Sequence, residues 1–71
     1  MTIVEKQHTT PNYYISMEME TRRAGCVYVV KVHPMYGNEC GYPIRTAIYP
    51  TNEKKKALAT YKRYIKKYTG E

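Results

Sequence analysis

The chain has 71 residues, with twelve Lys and Arg against six acidic residues and a formal charge of +6 at pH 7. That is enough for one domain, which buries roughly 60% of its unfolded surface and so has a thin core. No apolar run approaches the ~18 residues of a membrane span and no basic-then-apolar leader opens the sequence, so it reads as a cytoplasmic protein without a membrane partner.

Residues 1–12 carry only the Ile3 and Val4 pair as an apolar anchor and end in Thr-Thr-Pro-Asn, the composition of a flexible arm. Residues 13–71 are then expected to form the single domain. Tyr13 to Thr21 alternates Tyr13, Ile15, Met17 and Met19 with Tyr14, Ser16, Glu18 and Glu20, the period of a half-buried strand. Arg22, Arg23, Ala24 and Gly25 make a tight connection. Cys26 to His33 is a β-branched second strand that Pro34 should stop. A turn-rich loop spans Tyr36 to Gly41, and Tyr42 to Tyr49 is a third strand, whose Pro43 calls for an edge position or a late start.

Pro50 ends that strand. Thr51 or Asn52 can cap a helix running to the end of the chain, Glu53 suits the positive end of its dipole, and Gly70 suits its stop. Ala57, Leu58, Tyr61, Tyr64, Ile65 and Tyr68 fall in one arc of about 120°. The expected fold is α+β, a three-stranded antiparallel sheet with one C-terminal helix across one face, in the order β-β-β-α.

Charge is concentrated in the helix. Residues 51–71 hold seven of the twelve cations against two Glu, whereas residues 1–50 hold five against four. Lys55, Lys62 and Lys66 lie on one line of the helix, and Lys56, Arg63 and Lys67 on the next. Lys62 with Lys66 and Arg63 with Lys67 are like-charge pairs four apart, each costing about 0.2 to 0.5 kcal/mol. A one-signed face attracts polyanions, so Lys55, Lys62, Arg63, Lys66 and Lys67 are candidate phosphate contacts, joined by Arg22 and Arg23 at the hairpin. The same lysines also suit an ordinary solvated helix face. Tyr61, Tyr64 and Tyr68 are either a stacking platform for unpaired bases or core, and their shared arc with Leu58 and Ile65 favours core.

One helix covers one face of a sheet. With Ile15, Met17, Met19, Tyr28, Val30, Val32, Ile44 and Ile48 toward the helix, the open face presents Tyr14, Ser16, Glu18, Glu20, Val27, Val29, Lys31, His33, Arg45, Ala47 and Tyr49. Tyr14, Val27 and Val29 then form an apolar streak suited to a homodimer interface. Two cysteines are too few for a disulfide framework. Cys26 reads as a small core residue and Cys40 as a loop thiol, both reduced. The spacing of His8, Cys26, His33 and Cys40 matches no zinc pattern, so neither a metal nor a cofactor is expected. His33 suits a general base for RNA cleavage, with Tyr49 or Lys31 as conceivable acids, but nothing in the sequence supplies a clear second catalytic group, and no enzyme is expected.

From Gly25 onward, GCVYVVKVHPMYGNECGYPIRTAIYPTNEKKKALATYKRYIKKY resembles the AP2-like DNA-binding domain at the N-terminus of phage and transposon tyrosine recombinases. A glycine-aromatic strand, a Gly-containing loop, a third strand ending in an aromatic and a Thr-capped Lys-rich helix follow in that order. The resemblance implies a phage or mobile-element DNA-binding module whose open sheet face enters the major groove, with Lys31, His33, Arg45 and Tyr49 reading bases. The leading expectation is thus a small nucleic-acid-binding module, DNA first, acting through phosphate contacts. The alternatives are a module that dimerises by its sheet face and holds an acidic protein, and a small ribonuclease.

Overall fold

A computed structural model describes residues 2–70; the outermost residues of the expected arm and helix, Met1 and Glu71, lie outside it. Five strands, β1 (Thr2–Thr9), β2 (Tyr13–Arg22), β3 (Gly25–Tyr36), β4 (Glu39–Cys40) and β5 (Arg45–Pro50), precede a 3-10 turn (Thr51–Glu53) and helix α1 (Lys54–Thr69). The fold is α+β with one antiparallel sheet and a C-terminal helix, but the sheet has more than the three strands expected. Its order is β1-β2-β3, and β3 then pairs with β5 along Val27 to Val32 and with the two-residue β4 at Met35 and Tyr36.

Of the two extra strands, β4 is a two-residue pairing inside the expected Tyr36 to Gly41 loop, and β1 comes from the segment expected as an arm. Thr10-Pro11-Asn12 turns the chain, with the Thr10 N–H donating to the Tyr13 carbonyl (2.8 Å) and the Tyr13 N–H to Thr10 Oγ1 (3.0 Å). Thr2–Thr9 then pairs antiparallel with β2. A register shift between Val4 and Lys6 leaves Glu5 as an extra residue, a bulge that interrupts the two-residue period and hid the strand. Nor does Pro34 stop β3, which continues to Tyr36. The Pro34 carbonyl accepts from Gly41 N–H on the β4 side, so its missing N–H also faces that side and costs the β2 ladder nothing.

Helix α1 packs across β2, β3 and β5. Ile15, Met17, Tyr28, Val30 and Val32 meet Ala57 and Tyr61 in the core, with Leu58, Tyr64, Ile65 and Tyr68 packed around them. The predicted helix arc is therefore the packed one: Tyr61 is buried, and Tyr64 and Tyr68 are half-buried against the core. Thr60 joins them, its hydroxyl 2.6 Å from Tyr49 Oη. Neither Thr51 nor Asn52 caps the helix: Glu53 holds the N-cap position of α1 with no side-chain cap bond. Gly70 does end it, at φ 76, its N–H reaching the Lys66 carbonyl.

The expected facing of β5 is reversed. Tyr49 pairs with Tyr28, Ala47 with Val30 and Arg45 with Val32, so these three lie on the helix side, and Ile48 is turned away from it, while Ile44 precedes the strand and is exposed. Both parities of this segment contain apolar residues, and a one-residue difference exchanges every side chain. Cys26 is exposed at the end of β3, beyond the helix, and is not a core residue. No helix among the described residues is long and apolar enough to cross a membrane.

Candidate nucleic-acid interface

Burial of Ala57, Thr60 and Tyr61 fixes the rotation of α1 on the sheet and points its opposite side outward. Lys54, Lys55, Lys56, Lys62, Arg63, Lys66 and Lys67 are all exposed. Of these seven only Lys56 has an acidic partner among the described residues, Glu53 at 3.1 Å. Lys54 and Lys67 each lie over a ring, 5.9 Å from the Tyr28 centroid and 5.6 Å from that of Tyr68, which localises the cations without neutralising them. Lys66 and Lys67 sit at the negative end of the helix dipole, whereas Lys54 to Lys56 load its positive end, where cations are disfavoured. A wide depression of about 650 Å³ adjoins these first-turn lysines, lined also by Asn52, Glu53 and Leu58.

The other predicted contacts scatter. Arg22 and Arg23 are exposed at the β2–β3 hairpin, Arg22 being paired with Glu20 at 3.1 Å. Arg45 is exposed and donates from Nε to Tyr68 Oη (3.2 Å), which brings it to the C-terminal end of the helix strip and not to the open sheet face. Tyr49 is half-buried under the helix with its hydroxyl engaged by Thr60. Lys31 and His33 occupy the other face, so the four residues that the recombinase resemblance placed together are divided two and two.

On that other face Lys31 Nζ lies 3.2 Å from Glu18 Oε1. His33 donates from Nδ1 to the Gly41 carbonyl (2.9 Å) and its ring faces Tyr14 at 5.8 Å. Tyr14 in turn donates to Gln7 Oε1 (2.9 Å). Burial raises the Tyr14 phenol above its ordinary pKa of 10.0, with negative charge at Glu18 and Cys40 adding to the effect. Burial likewise raises Tyr61.

The expected apolar streak is not where it was drawn. Val29 is 1% exposed, Val27 and Tyr14 are half-buried, and Val4 and Ile48 are the exposed large apolar side chains that the strand registers put on this face. No group of three or more His, Cys and Glu among the described residues could hold a metal ion. Sequence reasoning also passed over Tyr36 and Tyr42, the most exposed large hydrophobic side chains among the described residues. Their signal was a pair of aromatic residues flanking the Gly-rich turn after β3, with Pro43 next to the second. In comparisons with family models, curated proteins and solved structures, nothing matches this chain.

Proposed function

We propose that this chain is a small non-enzymatic nucleic-acid-binding module that holds the phosphate backbone on the outer side of α1. One observation carries the reading: five helix cations, Lys55, Lys62, Arg63, Lys66 and Lys67, are exposed on the side of the helix opposite its packed residues with no acidic partner among the described residues. An ordinary solvated helix intersperses Glu with Lys and gains from the pairs, whereas this one accepts like-charge neighbours four apart. Phosphates relieve that repulsion, and release of their counterions drives binding. Phosphate contact by itself is indifferent to sequence and common to DNA and RNA, and DNA is put first on the resemblance to recombinase DNA-binding domains alone.

The test is a salt series. Log affinity should fall linearly with log salt, and the Lys62→Gln, Lys66→Gln double variant should reduce the slope by roughly 1.4 to 1.8 units. An unchanged slope removes the helix as the binding surface.

A second reading, self-association through the uncovered sheet face with the helix free to hold an acidic protein, is favoured by the half-exposed Val4 and Ile48. Sedimentation of the wild type and of Ile48→Glu decides it. A wild type that stays monomeric at high concentration removes this reading.

A further inference from the structure

The cationic strip has neighbours at its C-terminal end. Helix α1 runs back along the sheet until the Tyr68 ring lies 5.3 Å from that of Tyr13 and its hydroxyl accepts from Arg45. Tyr13 pairs with Pro34, so the loop between β3 and β5 leaves the sheet from this same end. It is tied there by Gly41 N–H on the Pro34 carbonyl and Ile44 N–H on the Val32 carbonyl, both 2.8 Å.

Two tyrosines at this end are uncovered, Tyr42 at 93% and Tyr36 at 69% exposure. Tyr36 follows Val32 and Pro34 by strand alternation and so stands on the helix side of β3. Gly41 passes so close to its ring that a Cβ there would come within 2.7 Å of the ring edge. Pro43 restricts the backbone of Tyr42 before it. The backbone that carries both rings is therefore restrained, at the end of the molecule that also carries Arg45, Lys66 and Lys67. The tyrosines on α1 itself are all packed against the sheet, so these two are the aromatic faces the protein offers to solvent beside its cations.

We propose that Tyr36 and Tyr42, with the C-terminal half of the cationic strip, form a binding site for single-stranded nucleic acid, in which Lys66, Lys67 and Arg45 hold phosphates and the two rings stack on unpaired bases. The inference rests on the nucleic-acid reading above and adds the class of strand. A duplex keeps its base faces inside the stack, so exposed rings favour an unpaired strand, while phosphate contacts alone do not discriminate.

The experiment is fluorescence anisotropy of the full chain with labelled oligo-dT, oligo-U and a duplex of the same length, in a salt series. Single strands should bind more tightly than the duplex. Tyr42→Ala should weaken single-strand binding by about 5- to 150-fold and leave duplex binding and the salt slope unchanged. Tyr42→Phe, which keeps the ring, should retain wild-type affinity, and Tyr36→Ala should act in the same direction as Tyr42→Ala. Tyr42 is almost wholly exposed, so its replacement does not threaten the fold. A preference for oligo-U supports the proposal with RNA as the ligand, and a preference for oligo-dT supports it with DNA. Equal or tighter binding of the duplex, or a silent Tyr42→Ala, overturns the stacking site and leaves the cationic helix standing if the salt slope persists. Failure of the wild type to bind any of the three probes overturns both.

Discussion

The two faces of β3 are buried by different means. On one, Val30 and Val32 are sealed by a second layer, helix α1 with Ala57 and Tyr61. On the other, Val29 and Ser16, diagonal to it on β2, are each only 1% exposed although no secondary-structure element packs closely over them. Ser16 stands directly between Gln7 and Lys31 in the register, with Tyr14 and Glu18 two residues to either side on its own strand. Tyr14 reaches across to Gln7 and Lys31 reaches diagonally to Glu18, so long polar side chains lie flat and roof the small residues between them. A thin domain can thus dry both sides of its central strand with only one helix. The difference is in what each cover is worth: apolar packing on the helix side, and on the open side a polar mesh that also traps the Ser16 hydroxyl without a hydrogen-bond partner.

The largest expected effect breaks the helix-side layer. Ile15→Ala should destabilise the protein by about 2 to 5 kcal/mol in urea unfolding. Ile48→Ala on the open face, half-exposed, should cost within about 0.5 kcal/mol. Comparable losses at the two positions would mean that the open face is covered in solution, as the self-association reading requires.

Ser16→Ala sharpens the comparison through its sign. Removing a buried hydroxyl that makes no hydrogen bond deletes a desolvation penalty, so the variant should be neutral or more stable by up to about 1 kcal/mol. A loss of stability of that size would show that the hydroxyl is satisfied, for instance by a bridging water.

The smallest effect is alkaline. Tyr14 on the open face and Tyr61 on the helix side both have folded-state pKa values above 10.0, so the folded protein holds those protons more tightly than the unfolded chain does. Their contribution to stability is complete below pH 10 and is lost as pH rises from there through the folded-state values. Tyr14→Phe and Tyr61→Phe should each flatten the fall in melting temperature above pH 10, and unchanged steepness in both would contradict the assigned cause.

Much of the architecture was legible because its signals are local. The alternation in Tyr13 to Thr21 and the β-branched run after Cys26 specify strands by a two-residue period, and the arc from Ala57 to Tyr68 specifies a packed helix by a 3.6-residue one. The cationic strip follows from the same wheel, since what is opposite the packed arc must face water. Three matters were decided only by tertiary structure. Thr2–Thr9 is mostly polar and bulged at Glu5, and becomes a strand because β2 offers it an unpaired edge. Arg45–Pro50 has apolar residues in both parities, and its facing is set by Tyr49 meeting Thr60 and Arg45 meeting Tyr68, contacts with a helix that follows it in the chain. The meeting of Tyr36 and Tyr42 with the end of the basic strip arises because α1 runs back to the row from which their loop departs. Periodicity reports which side of an element is apolar, but which elements meet, and which face of an ambiguous strand is turned inward, depends on long-range packing that no local window contains.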